Sequence, residues 1–517
     1  MRTLTTVLAA TLLLAAPAGA KTLRYASGFD PQSMDPHALA LLYHSRVNTQ
    51  IYESLVGRDR EFRLEPALAL SWQSRDPKTW RFRLRSGVKF HDGTPLDADD
   101  VVFSIERALA KTSQRASQLR GVTGARKVDA LTVDVLLQAP DAVLPEKLWP
   151  IGIMSRAWAE KHGVTLPQDY NAKQETFAVR NANGTGPFAL KRYEPDTRTV
   201  LAAHAGWWGR RGNVTEAVYT VIQSDATRLA ALASGQVDLV IDPPYQDIAR
   251  LKRENKLQLA ETSDIGTQYL GFDQHRAELE SGDVKGRNPF KDLRVRRAVY
   301  HAIDVDLIVS KVLRGQATPT GSFVSRLVDG YVADLDRRLP YDPAAARALL
   351  KSAGYPNGFG VTLDCVNATY RAAVCQALAA MLAQVGIRVA FRPSPTALFF
   401  PKLTQATSSF FEFGWSPATD AWQMLNAVVR SYDGVASGAF NAGRYSNPRL
   451  DALIDSLRVE PDPARRRAMV GEALRTLHAD LPLVPLYRRT LAWVMRPGIR
   501  LVQWPNDVLE LRWVQMD

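Results

Sequence analysis

Cysteine is almost missing from this chain: Cys365 and Cys375 are the only two in 517 residues. That excludes a disulfide-dense scaffold, and with no histidine beside them it excludes a zinc site at this spacing. Histidine is sparse as well. The eight, at 37, 44, 91, 162, 204, 275, 301 and 478, form no i, i+3 or i, i+4 pair, so the sequence writes no local metal cluster. Neither G-x-S-x-G nor H-E-x-x-H occurs, which removes the nucleophile elbow and the zincin helix. A pair of catalytic carboxylates stays open, because Asp and Glu together number 53. Past the N-terminus no apolar run reaches the ~20 residues a membrane helix needs. There is no low-complexity tract and no repeat with a period of about 20–50 residues.

What is present starts with a leader. Arg2 supplies the positive start, 4–16 is mostly apolar, and Ala18-Gly19-Ala20 is a small-residue cleavage site. Residues 1–20 therefore read as a secretion signal. No cysteine follows that site, so no lipid anchor is expected. The length implies two or three domains, and 46% hydrophobic residues provide for their cores. The formal charge of +12 raises the question of nucleic acid. But Lys and Arg are scattered, and the densest runs, RVRR at 294–297 and RRR at 465–467, read as solvated helix faces. An exported chain of this kind is not expected to bind nucleic acid. In an oxidising compartment Cys365 and Cys375 are expected to pair, the alternative being two buried thiols.

Residues 88–108, VKFHDGTPLDADDVVFSIERA, are the most informative stretch. Val88 and Phe90 alternate with Lys89 and His91, the period of a half-buried strand. Asp92-Gly93 supplies a tight turn, Asp97 an N-cap, and Asp99 and Asp100 put acids in the first helical turn. Val101, Ile105 and Ala108 continue as one apolar face. Around this block, 60–150 carries the strand and turn signals of a mostly antiparallel subdomain. FALKRYE and TRTVLAAH read as a hairpin across Pro195-Asp196. From 214 the rhythm becomes strand–helix–strand: 218–222, a helix capped by Asp225 and ended by Gly235, then 237–241. It recurs with a helix opening at Asp342-Pro343, a strand at 359–363, a helix from about 371 to Gly386, and a strand at 387–391. A linker near 266–273 separates the two modules. Asn447-Pro448 and Asp462-Pro463 open two more helices, with Pro at the first helical position. LPLVPLY and LAWVM are expected to be strands returning the chain to the first module.

Six blocks, in order, resemble signature segments of one family. They are 88–108, then 183–209 (NGTGPFALKRYEPDTRTVLAAHAGWWG), 224–240 (SDATRLAALASGQVDLV), 288–304 (NPFKDLRVRRAVYHAID), 341–359 (YDPAAARALLKSAGYPNGF) and 444–455 (RYSNPRLDALID). Together they resemble the large solute-binding proteins of bacterial peptide and nickel ABC importers, extracellular solute-binding family 5. The resemblance implies an α/β, bilobed periplasmic binding protein fold with a hinge and an extra mixed subdomain. It places lobe one at 21–57, 184–268 and 490–517, the extra subdomain at 58–183 and lobe two at 269–489. It implies a periplasmic, monomeric carrier, not an enzyme, that takes a small-molecule or peptide ligand in an interlobe cleft. The carrier would hand it to an inner-membrane ABC permease, and no cofactor and no metal is expected. The alternatives are a non-peptide solute (an opine, oligosaccharide, metal chelate or haem), a secreted hydrolase, and a periplasmic chaperone or sensor adaptor.

By family position three segments line the cleft. Ser27 and Phe29 lie in the turn after the first strand. Tyr269 lies where the chain leaves lobe one. Asn367, Tyr370 and Arg371 join Trp415, Asp420 and Trp422 in the third. Gly186-Pro187, Trp207-Trp208 and Tyr445-Ser446 are expected to be turn and packing residues. A peptide needs backbone hydrogen bonding, an acid for its amine and an Arg for its carboxylate. Here the sequence departs from the dipeptide binders. Their amine-binding Asp falls on Ala418 and their carboxylate-binding Arg on Ala368, leaving Asp420 and Arg371 as the candidate substitutes. A longer peptide, whose ends need no clamp, fits that pattern better, and so does a different small solute.

Overall fold

A computed structural model describes residues 21–517 except 255, 368, 417–419 and 435–436. The expected leader (1–20), Ala368 and Ala418 fall outside the described residues. The architecture is bilobed and built on one long mixed sheet, with 12 strands among the described residues. Across its main path the order is Ile387–Ser394, Phe359–Val366, Phe410–Trp415, Thr267–Phe272, Leu483–Met495, Leu239–Val240, Thr22–Ser27, Glu216–Val221, Arg198–Ala203 and Phe188–Glu194.

Leu483–Met495 is the strand that joins the two halves. Its first part, 483–487, pairs with Thr267–Phe272, and its last part, 490–495, pairs with Gln258–Ser263. Both partners therefore step across together, between Ser263 and Thr267. Of the 13 residues in this strand only Arg489 and Thr490 escape full burial. A strand that is apolar at both ends enters two cores, and its polar interruption marks the gap between them. LPLVPLY and LAWVM are thus one strand rather than two. The segment expected to be a linker near 266–273 is itself a strand, buried at every position from Thr267 to Phe272.

The strand–helix–strand unit around 225–234 forms with one revision. Glu216–Val221 and Leu239–Val240 do not touch, because Thr22–Ser27 lies between them, parallel to both. Ser224, not Asp225, caps that helix, and Gly235 ends it with φ 79°. In the second half, Phe359–Val366 and Ile387–Ser394 pair in parallel around the helix Thr369–Ala383. A disulfide joins Cys365 to Cys375 across that strand–helix corner, with Cα atoms 6.7 Å apart.

The subdomain between the first strand and Phe188 has its own four-stranded antiparallel sheet and core. Asp97 caps its helix Ala98–Leu109 as expected, and the structure adds that Asp100 caps back onto the Asp97 backbone. Val88 and Phe90 are buried, but their segment is a tight loop bridged at Lys89–Pro95, not a strand. Gly93, at φ 87°, supplies its turn. Within the first half, beside this subdomain, the Glu53 carboxylate accepts the indole N–H groups of Trp207 and Trp208 at 3.1 Å each.

The two basic runs are not simply solvated. Arg296 is buried and donates to the carbonyls of Phe290, Asp480 and Leu481, closing helix ends. Arg466 is buried as well and pairs with Asp420.

Candidate ligand-binding cleft

The carboxyl ends of Thr22–Ser27 and Leu239–Val240 point to the crossover, the place where open α/β sheets take ligands. Ser27 ends the first strand, and the chain turns sharply after it. Asp30 fixes that turn, accepting from the backbone N–H of Gln32 (2.6 Å), the hydroxyl of Tyr193 (2.6 Å) and the N–H of Asp196 (2.9 Å). Phe29 is thereby held out, 53% exposed, with its ring stacked on Tyr43 at 5.6 Å.

Behind the turn sits a charged cluster. Arg46, on the helix Leu42–Ile51, donates to both oxygens of Asp242 at 2.9 and 3.0 Å. The same guanidinium donates to the Asp507 carboxylate at 2.5 Å and to the Asp507 carbonyl at 3.0 Å. Ser27 donates its hydroxyl to Asp242, and the Trp493 indole donates to Asp507 at 2.7 Å. Burial works to raise both carboxylates, with opposite results. At Asp242 the Arg46 charge and its two hydrogen bonds outweigh burial and hold the group below its ordinary value. At Asp507 burial prevails, helped by the charge of Asp242, and the group is pushed up. One guanidinium cannot fully serve two buried acids.

A second pair stands at the crossover itself. Arg489 donates to Asp264 at 2.5 and 3.0 Å, and the Asp264 N–H donates to the Arg489 carbonyl at 2.9 Å, so the two crossing segments are clasped together. Tyr245 and Tyr370, from opposite halves, meet edge-on at 5.5 Å beside it. Burial pushes the Tyr245 phenol up to about 12.

These groups wall two connected chambers. The larger is about 570 Å³ and the smaller about 360 Å³, and they share Phe29, Asp242, Arg489, Leu491 and Asp507. Small-molecule and cofactor sites commonly fall in the range of about 300–1,000 Å³. Phe62 and Trp149 bring an apolar wall from the extra subdomain, and Ser416 brings the second half of the sheet.

The structure sorts the residues expected from sequence. Phe29 lines both chambers. Ser27 is fully buried behind them, holding Asp242. Asn367 is exposed, Tyr370 is half-buried against Tyr245, and Trp415 is half-buried against Phe440 at 4.7 Å. Four expectations are corrected. Tyr269 is 0% exposed, packed among Phe323 and Phe413 in the core. Trp422 is core too, its indole donating to the Ile454 carbonyl at 3.0 Å. Asp420 caps its helix and is neutralised by two bonds from Arg466, so it has no charge to offer a guest. Arg371 is committed to Glu412 and Gln268 at 3.0 Å each. Sequence reasoning missed Tyr43, Arg46, Asp242, Tyr245, Asp264, Arg489 and Asp507. Two signals were there to be read: Asp242-Pro243 at the end of a short strand, and Arg488-Arg489 interrupting an apolar one.

Comparison with known proteins agrees with this geometry. Residues 63–435 match the model of bacterial extracellular solute-binding proteins, family 5. The chain belongs to that family. It is 28% identical to heme-binding protein A of Haemophilus influenzae, over 86% of this chain and 82% of that one. It is 27% identical to the glutathione-binding protein GsiB of Escherichia coli, over 92% and 91%. Among solved structures, the periplasmic binding protein DppA of Helicobacter pylori, in complex with peptide STSA, superposes with a TM-score of 0.76 at 23% identity, covering 96% of this chain and 98% of that one.

Proposed function

We propose that this member of the family captures a peptide-like solute in the cleft between its two halves and releases it, unchanged, to an inner-membrane ABC permease. The reading includes a periplasmic, monomeric protein, exported by the leader at 1–20. It divides the chain as the family position implies, with the hinge at 264–266 and 488–490. The observation that carries it is the pair of joined chambers at the one place where the sheet crosses between cores. The Arg489–Asp264 clasp keeps those segments aligned while the halves rotate about them. A guest touching both halves binds the closed arrangement better and shifts the population toward it. A relative named for glutathione and a structure with a bound peptide support a peptide-like guest, and the relative named for heme makes haem the second reading.

The test is native mass spectrometry of protein purified from the periplasm. A solute bound one to one, returned intact, supports capture; conversion of that solute into product refutes it. Tryptophan fluorescence then reports closure. Trp415→Ala should weaken the guest by over about 1 kcal/mol if the ring anchors it in the closed form. Unaltered affinity removes Trp415 from the site.

A further inference from the structure

The larger chamber carries one negative charge too many. Its wall holds Arg46 and Arg489 against Asp242, Asp264 and Asp507. The Asp225–Arg228 pair that the smaller chamber adds is balanced, so the excess stays. The excess also has a direction. The Arg46 side chain is 2% exposed, whereas those of Asp242 and Asp507 are 21% and 17% exposed. At this cluster the cation stands behind and the acids stand in front, whereas in the neighbouring pair Arg489, 32% exposed, stands in front of Asp264, 6% exposed, so it is the Asp242–Asp507 face that offers a guest carboxylate.

We propose that this chamber is a subsite for an organic cation, an ammonium or guanidinium group of the guest, seated against Asp242 and Asp507 and beside the Phe29–Tyr43 rings. The proposal rests on the reading of the cleft as a capture site and adds the chemistry of one end of the guest. Three features support it. The Asp507 carboxylate is set in place before any guest arrives: its backbone is left-handed at φ 63°, its carbonyl takes the Arg46 Nε–H, and one carboxylate oxygen takes the Trp493 indole N–H at 2.7 Å. Asp tolerates that backbone region better than most residues, but fixing it there costs free energy that only tertiary contacts offset. Second, burial and the neighbouring Asp242 charge make ionised Asp507 unfavourable until a further cation is near. Third, the stacked, exposed Phe29 ring offers a π face to the same space, a surface that attracts cations as they lose water. Elsewhere along the walls the pairing is one to one: Arg489 serves Asp264 and Arg228 serves Asp225.

The probes are two pools of peptides three to five residues long, without Lys or Arg. One pool has free amino termini and the other is acetylated. Wild-type protein and Asp507→Asn are each mixed with both pools, and bound species are read by native mass spectrometry. The wild type should retain the free-amine pool about tenfold over the acetylated one, and Asp507→Asn should bring that ratio within about threefold. Equal retention of both pools by the wild type overturns the cation subsite while leaving peptide capture standing. Retention of neither pool overturns the peptide reading instead. The guest co-purified from the periplasm then decides the subsite: a guest bearing an amine or guanidinium upholds it, and a neutral or purely anionic guest overturns it. If Asp507→Asn fails to fold, the wild-type ratio alone settles the question.

Discussion

The two walls of the cleft use the same residue types to opposite ends. In the second half Arg371 and Arg466 have one acid each. Arg371 binds Glu412, whose side chain is 0% exposed, and Arg466 binds Asp420, 5% exposed. Both pairs are closed, and neither acid faces open space. In the first half one Arg is shared by two acids, and the acids lie nearer the surface than the Arg does. Function in such a site follows from the ratio of charges and from which partner stands in front. Neither quantity is written in any local string of residues.

The contrast is most directly broken by removing the cation on each side. Arg46→Met would leave two buried carboxylates without their shared partner, and should cost about 5 kcal/mol of stability in urea unfolding. Arg466→Met leaves only Asp420 uncompensated and should cost about 3 kcal/mol. Equal losses at the two sites would mean that Asp507 draws little from Arg46, and the two-to-one description would fail. The next effect is smaller. Replacing Cys365 and Cys375 together by serine opens a ten-residue separation in the second half and should lower stability by about 2 kcal/mol. Affinity for a guest held on the first half should then be preserved. A parallel loss of affinity would show that the two walls are not independent.

Much of the fold was legible in the sequence, for reasons that are local. Asp97, Asp342, Asn447 and Asp462 all cap helices, because capping needs only a short polar side chain before an apolar period. The hairpin across Pro195-Asp196 follows from two β-rich runs and a turn. The cleft was legible only in outline. Phe29 was found, because it follows a strand end. Asp420 and Arg371 were plausible as free charges, since nothing near them in the chain reveals Arg466, 46 residues away, or Glu412, 41 away. Arg46, Asp242 and Asp507 come together from positions up to 461 residues apart. Such a cluster is created by sheet order, and in particular by the insertion of the first strand between two later ones.

Glu53 supplies a third ratio and the subtlest test: an acid served mainly by neutral donors. Burial pushes its carboxyl up to about 7, although the two indole N–H groups act against that shift. Between the unfolded value of 4.5 and about 7 the folded chain holds a proton there that the unfolded chain has released. Stability from this group is therefore present at low pH and is lost as pH rises through that window. His37 and His44 act the other way. Burial drops both to about 3, so they stay neutral when folded, and stability falls as pH drops below their ordinary 6.5. In the wild type these slopes partly cancel. Glu53→Gln removes one of them, so its stability should fall more steeply than that of the wild type from pH 7 to pH 5, by about 1 kcal/mol across the interval. An unaltered slope would mean that Glu53 is already ionised in the folded protein. Two indole donors would then suffice to hold a carboxylate that, in the cleft, needs a share of Arg46.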